Sequence, residues 1–248
     1  MTALTARFAG LAATALLLLA ALGASDADLQ SSARIVLVTA VVGVLAPLFW
    51  PGRAATARLT IVRIVVWSIA SVGLATAIAL LSGLGADRLP RAATALAVLF
   101  LALVAVHALA AAVEGLLQRR SATPETARES AAWIATAALV TIGAAPLWLG
   151  PVAELALAGR PVTVDAVVAV SPLTHLAVAS GNDLLRNQWF YQHSNLAGLR
   201  FDYPRLGPVM TAYCLLAVVL LLVHMVRGSR QAATPSATGT TFEEEHRS

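Results

Sequence analysis

The chain contains no lysine, because all 17 of its basic residues are arginines. A Walker A phosphate loop requires a lysine, and so does a Schiff base with retinal or pyridoxal phosphate. The sequence therefore excludes these kinds of site. The formal net charge of +4 is spread over several loops, and we expect no nucleic-acid partner.

Cysteine is also scarce, since Cys214 is the only one. Neither an intrachain disulfide nor a thiolate metal cluster can form within one chain. A haem held by two histidines needs them at matching depth on facing helices, and His107 and His224 differ in depth by several turns. His175 and His193 lack a third ligand at the usual metal-site spacing. We therefore expect no metal and no cofactor.

Charged residues make up only 12% of the chain, whereas 58% of the residues are hydrophobic. A soluble domain carries about 25% charged residues, and a membrane-spanning helix needs roughly 20 apolar residues. The sequence predicts an all-α, polytopic membrane helix bundle over residues 1–230 and a disordered polar tail at 231–248. Six stretches are predicted to span the bilayer: 8–24, 35–49, 59–84, 92–117, 131–149 and 208–226.

The first stretch also resembles a secretory signal peptide, because Arg7 precedes an apolar run that ends in small residues. Leu22 occupies the −3 position before Ala24, so an A-x-A cleavage site is lacking there. The sequence leaves both a retained helix and a cleaved signal peptide open.

Arginines cluster in alternate loops between the predicted spans. Arg53 and Arg58 follow the second span, Arg119 and Arg120 follow the fourth, and Arg227 follows the sixth. Arginine-rich loops stay in the cytoplasm, so the pattern predicts that both termini are cytoplasmic. We expect a multi-pass protein of a bacterial cytoplasmic (inner) membrane, in contact with the lipid bilayer.

The long loop at 150–207 has helical features of its own. A short apolar run at 164–170 ends at Ser171-Pro172, which is typical of an N-cap followed by proline at the first helical position. Apolar residues at helical spacing continue to Leu184. The pattern predicts an outer helical hairpin between spans five and six, acting as a structural plug or as a functional surface. The candidate surface residues are His175, Asp183, Arg186, Trp189, Tyr191 and His193.

Ionisable residues inside a span are costly and indicate either function or a structural ion pair. Arg63, Glu114 and His224 lie at similar depths, about one turn inside the predicted cytoplasmic boundary. We therefore predict that these three residues form an intramembrane polar cluster. His107 lies deeper, and we expect it to hydrogen-bond to a neighbouring helix.

The whole layout, with a broken helical segment between spans five and six, resembles the membrane subunit of an ABC-2-type permease. The resemblance implies six spans, cytoplasmic termini, an outer hairpin and a separate ATPase as partner. It rests on topology and length rather than on a sequence motif. The chain departs from that family at its start, because the first predicted span begins close to Met1, where such subunits have an amphipathic helix facing the ATPase.

Two other functions remain open. The scarcity of buried charges favours a non-catalytic structural or assembly subunit of a larger membrane complex, for example a respiratory one. The polar residues of the outer loop favour a membrane enzyme that would use His175, Asp183, Arg186 and His193. The sequence shows no serine motif of an intramembrane protease, so we expect a transport permease subunit or a complex subunit rather than an enzyme, with no catalytic residue assigned.

Overall fold

The computed structural model describes residues 2–22, 31–83, 85–120, 122–149, 161–186 and 202–232. These residues form helices and no strand, which confirms the predicted all-α class. The long helices are α1 (Thr2–Ala21), α2 (Ser31–Leu48), α3 (Ala57–Leu81), α4 (Leu89–Arg119), α5 (Pro124–Gly143) and α9 (Leu206–Ala232). The short helices are α6 (Ala145–Trp148), α7 (Pro161–Val170) and α8 (Pro172–Ser180).

Four of the described helices, α1, α3, α4 and α9, are long and apolar enough to cross a membrane. The predicted six spans are therefore confirmed only in part. The apolar helix α2 has 18 residues, which cover about 27 Å at 1.5 Å per residue, slightly less than a bilayer core. The helix α5 is more polar than predicted because its first two turns carry Glu125, Arg128 and Glu129.

The helices α2 and α4 lie at the centre of the bundle. The helix α4 packs against α2, α3, α5, α8 and α9, and α2 also contacts α1, α5 and α8. Ala95, Ala105 and Ala108 are buried on α4, and small side chains of this kind let helices approach closely. The outer sides of α3 and α9 instead expose large apolar side chains such as Ile69 and Leu215. These sides suit contact with lipid acyl chains.

Successive long helices run in alternating directions. Arg7, near the start of α1, donates to the carbonyl of Trp50 after α2, and Arg34 at the start of α2 donates to Ser82 after α3. His224, near the end of α9, lies within electrostatic range of the loop that follows α2. The start of α1 and the end of α9 therefore lie at the same end of the bundle. We call it the basic end; it also includes the starts of α3 and α5 and the ends of α2 and α4.

The short helix α8 closes the opposite end. Ser171 separates α7 from α8, as the Ser-Pro pair predicts, and its hydroxyl donates to the carbonyl of Gly143 at the end of α5 at 2.7 Å. The helix ends at Gly181, which has a left-handed φ of 70°, as helix C-caps often do. Asn182 then reaches Ser32 at the start of α2. The helix α8 therefore lies across the ends of the central helices.

Candidate functional site

Glu114 is buried in the basic end of α4, with 3% of its surface exposed. Its carboxylate accepts hydrogen bonds from Trp50 Nε1 at 3.1 Å, from the backbone N of Arg53 at 3.0 Å and from Gln118 Nε2 at 3.3 Å. A buried charge is tolerated only when such partners replace the lost water. We call Trp50, Arg53, Glu114 and Gln118 the Glu114 site.

The loop between α2 and α3 supplies two of these donors, and its sequence explains its shape. Pro47 lies in the last turn of α2, and the backbone N of Trp50 donates to its carbonyl at 3.0 Å. Gly52 follows with a φ of 84°, a conformation that side chains other than glycine rarely adopt. A Cβ at Gly52 would lie 2.9 Å from Cδ of Arg128. Glycine at this position therefore allows both the turn and the close approach of α5.

Two arginines hold the same loop from neighbouring helices. Arg7 on α1 donates to the carbonyl of Trp50 at 2.8 Å. Arg63 on α3 donates to the carbonyls of Gly52 and Arg53 at 3.0 and 2.9 Å. The loop is thus fixed to α1, α3 and α4 by charge-assisted hydrogen bonds, which are stronger than neutral ones.

The predicted cluster of Arg63, Glu114 and His224 takes a different form in the structure. Arg63 binds backbone carbonyls of the loop rather than the carboxylate of Glu114. His224 is buried, with 4% of its surface exposed, and lies within electrostatic range of Arg53. The three residues surround one loop instead of forming a direct triad. The sequence did not predict Trp50 and Arg53 as part of this cluster. They lie in a loop, whereas the prediction rested on ionisable residues inside the spans.

The guanidinium of Arg53 is partly buried beside α4. Its Nη1 donates to Gln118 Oε1 at 3.3 Å and would lie 2.5 Å from a Cβ at Gly115. Burial lowers the pKa of Arg53, the Glu114 carboxylate opposes this change, and the charge of Arg119 lowers the pKa further. An arginine nevertheless stays protonated in proteins. The site therefore keeps a fixed positive charge next to the buried carboxylate.

Charge is unevenly divided between the two ends of the described structure. The basic end has nine arginines: Arg7, Arg53, Arg58, Arg63, Arg119, Arg120, Arg128, Arg227 and Arg230. It has three acidic residues: Glu114, Glu125 and Glu129. The opposite end has five arginines: Arg34, Arg88, Arg91, Arg186 and Arg205. It has four acidic residues: Asp87, Asp165, Asp183 and Asp202.

His107 lies deeper in the bundle, next to the Glu114 site. Its Nδ1 is 3.0 Å from Ser68 Oγ on α3, which confirms the expected hydrogen bond to a neighbouring helix. Its ring stacks on Trp50, with centroids 5.3 Å apart. A serine beside a histidine can also support nucleophilic catalysis, but both residues are fully buried. A substrate does not reach them in this conformation. The hydrogen bond between them joins α3 to α4.

His175 lies inside the structure rather than on the predicted outer surface, with 5% exposed. Its Nε2 is 2.8 Å from the carbonyl of Ala169, and its Nδ1 is 2.9 Å from the hydroxyl of Tyr213. Since a carbonyl only accepts, Nε2 carries the proton and Nδ1 accepts from Tyr213. Burial lowers the pKa of His175, and the bond to Ala169 partly opposes this change. Both ring nitrogens are engaged, so His175 joins α7, α8 and α9.

Asp183 and Arg186, two of the predicted surface residues, form an ion pair with 3.8 Å between Nη1 and Oδ2. The hydroxyl of Tyr203 donates to the Asp183 carboxylate and accepts from the backbone N of Leu185. Burial raises the pKa of Tyr203, and the bond to Asp183 adds to the effect. The Arg186 guanidinium lies 5.6 Å from the centroid of the Tyr203 ring. The other predicted surface residues lie outside the described part of the chain: Trp189, Tyr191 and His193.

No known protein family, curated protein or solved structure matches the chain. Within the described ranges, no three histidine, cysteine, aspartate or glutamate side chains come together as a metal site would require. The functional argument therefore rests on the geometry of the chain itself.

Proposed function

We propose that this chain is the membrane subunit of a transport permease that works with a separate ATPase. The observation that carries the proposal is the position of α8. This nine-residue helix is broken from α7 at Ser171 and lies across the ends of α2, α4 and α5. Broken helices at membrane depth occur where protein or a water-filled cavity surrounds them. A shift of α8 would open one end of the bundle without unpacking a long helix.

The contacts of α8 suit an element that closes and opens. Polar bonds tie its two ends and its middle to neighbours: Ser171 to Gly143, Asn182 to Ser32 and His175 to Tyr213. Each such bond contributes only about 0.5–1.5 kcal/mol net. ATP binding by a partner would have to supply the exchange of two or three such bonds and the repacking of the buried side chains of Leu176 and Ala179.

The basic end is where the proposed ATPase would act, because arginine-rich ends of membrane proteins face the cytoplasm. Arg7, Arg63 and Glu114 fix the α2–α3 loop to three helices. If the ATPase displaced this loop, the displacement would be transmitted to α2 and α4. Both of these helices contact α8. In this proposal the protein lies in a bacterial cytoplasmic membrane as a six-span bundle, with both termini in the cytoplasm.

A second candidate function is a non-catalytic subunit of a larger membrane complex. The observation that favours it is the closed interior, since Glu114 and His175 are both fully engaged by partners within the chain. A membrane enzyme built on the outer loop has less support, because His175 is one of its four residues and is buried in packing contacts.

Isolation of the tagged protein from its own membranes, followed by mass spectrometry, distinguishes these functions. A stoichiometric ATPase supports the permease, respiratory subunits support the second function, and the chain alone contradicts both. Arg58→Gln and Arg120→Gln change exposed residues of the basic end, and they should weaken retention of an ATPase. Asp87→Asn at the opposite end is the matched control and should leave retention unchanged.

A further inference from the structure

Two buried nitrogens at the basic end, between α4 and α9, have no hydrogen-bond partner among the described residues. They are Nε2 of His224 and Nε of Arg53. Only 4% of His224 is exposed, so water does not fully compensate for the missing partner. Buried polar groups nearly always have partners, and an exception can indicate a bound molecule that the chain itself does not supply.

The surroundings of these two nitrogens favour an anion. The Arg53 guanidinium lies over Gly115, where a Cβ would leave it no room. Arg119, one turn further along α4, lies within electrostatic range of Arg53, and so does His224. Among the residues that the structure describes, the nearby negative charge is that of Glu114, whose oxygens already accept bonds from Trp50, Gln118 and the loop backbone. Positive charge therefore exceeds negative charge at this place.

We propose that Arg53 and His224 bind the headgroup phosphate of an anionic phospholipid between α4 and α9. Phosphate oxygens accept strong, charge-assisted hydrogen bonds from guanidinium and imidazole groups. A lipid is favoured over free phosphate because only 17% of the apolar window of α9 is buried, so this helix presents its side to lipid. Arg53 lies at the helix ends, at the level where headgroups are found. The inference requires only that the bundle lies in a membrane, whatever it transports.

The test uses the purified full chain in a zwitterionic detergent. It is titrated separately with phosphatidylglycerol, with phosphatidylcholine and with inorganic phosphate. The measurements are the thermal unfolding midpoint and, by native mass spectrometry, the number of bound lipids. Phosphatidylglycerol should give a saturable rise in the midpoint, and phosphatidylcholine should not. His224→Phe keeps a ring but removes both nitrogens. It should weaken binding about tenfold, as the loss of one charge-assisted hydrogen bond would.

Arg53→Gln should weaken binding of phosphatidylglycerol in the same way, and His224→Phe decides the question if Arg53→Gln does not fold. Arg58→Gln is the control, because Arg58 is an exposed arginine of the same end, and it should leave the affinity unchanged. Equal stabilisation by both lipids overturns the site, and so does an equal effect of Arg58→Gln and His224→Phe. Saturable stabilisation by inorganic phosphate with no further effect of phosphatidylglycerol overturns the assignment to lipid.

Discussion

Trp50 and Glu114 are joined by a 3.1 Å hydrogen bond from the indole Nε1 to carboxylate Oε2. The same indole stacks on His107, which lies two turns before Glu114 on the same face of α4. One side chain at the end of α2 thus connects a loop of the basic end to the fully buried centre of the bundle. This link is the basis for expecting that the loop and the central helices move together.

Glu114→Ala should lower the free energy of unfolding by about 2 kcal/mol, because it leaves the buried Trp50 donor and the Arg53 amide unsatisfied. Trp50→Phe should lower it by about 2 kcal/mol, because it removes this hydrogen bond and also leaves a gap where the fully buried indole packs. The double variant should lose less than the sum, since both changes remove the same bond. Unfolding in detergent measures all three proteins, and strict additivity would show that the bond contributes nothing.

Gly52→Ala should destabilise the protein by about 1–2 kcal/mol, since it places a side chain at a left-handed φ and against Arg128. Gly73→Ala is the matched control, because nothing lies within 4 Å of a Cβ there. Inside a helix this control change should be neutral or stabilising by up to about 1 kcal/mol. Thermal unfolding of the two variants side by side is the measurement. Equal effects would contradict the described conformation of the loop.

The helices themselves could be predicted from apolar runs, but their ends could not. The fifth predicted span starts at residue 131, whereas α5 begins at Pro124. Thr123 caps this helix and Pro124 occupies its first position, a signal that hydrophobicity alone ignores. Helices continue beyond the apolar core into polar surroundings. An apolar run in the sequence therefore predicts the part of the helix within that core, but not the residues at which the helix begins and ends. The start of α8 could be predicted from Ser171-Pro172, because the N-cap serine and the proline directly follow an apolar run.

The candidate site was predicted only in part. Glu114 and His224 stood out because a charged or polar group in an apolar run is costly. The partners of Glu114 come from Trp50 and the backbone of Arg53, and pairing between a loop and a distant helix depends on tertiary packing. The nearby sequence Trp50-Pro51-Gly52 does carry a signal, since proline and glycine after a tryptophan indicate a fixed turn.

The stability of the protein should depend on pH through His175. Burial lowers the pKa of His175 in the folded protein from its ordinary value of 6.5. As the pH falls, the unfolded chain therefore binds a proton on this residue at a higher pH than the folded protein does. Stability from this residue is complete above pH ~6.5 and falls as the pH drops further, by at most about 1.4 kcal/mol per unit.

His175→Gln is the control for this pH dependence, because an amide can donate and accept but does not titrate. Unfolding midpoints of parent and variant between about pH 5 and pH 8, on both sides of the ordinary histidine pKa, give the contribution of His175 by difference. The parent should lose more stability on acidification than His175→Gln. Parallel curves would mean that His175 is not held neutral by Ala169 and Tyr213.

The orientation of the bundle can be measured with reporter fusions. Fusions after Arg120 and after Arg230 should both report the cytoplasm, because both positions belong to the arginine-rich end. A fusion after Asp87 should report the outside. A periplasmic signal after Arg120 or Arg230, or a mature N-terminus near Ser25, would contradict the proposed topology.

The most direct test of the permease proposal is ATP turnover by the isolated complex with α8 locked or free. Asn182 and Ser32 are hydrogen-bonded at 3.2 Å, so Asn182→Cys with Ser32→Cys, in a Cys214→Ser background, brings two thiols close together, and titration of free thiols measures how much disulfide forms on oxidation. We predict that the complex hydrolyses ATP, that oxidation stops most of this turnover, and that a reductant restores it, while each single cysteine variant is unaffected. A complex without ATP turnover, or one whose turnover is the same with α8 locked, would contradict the account.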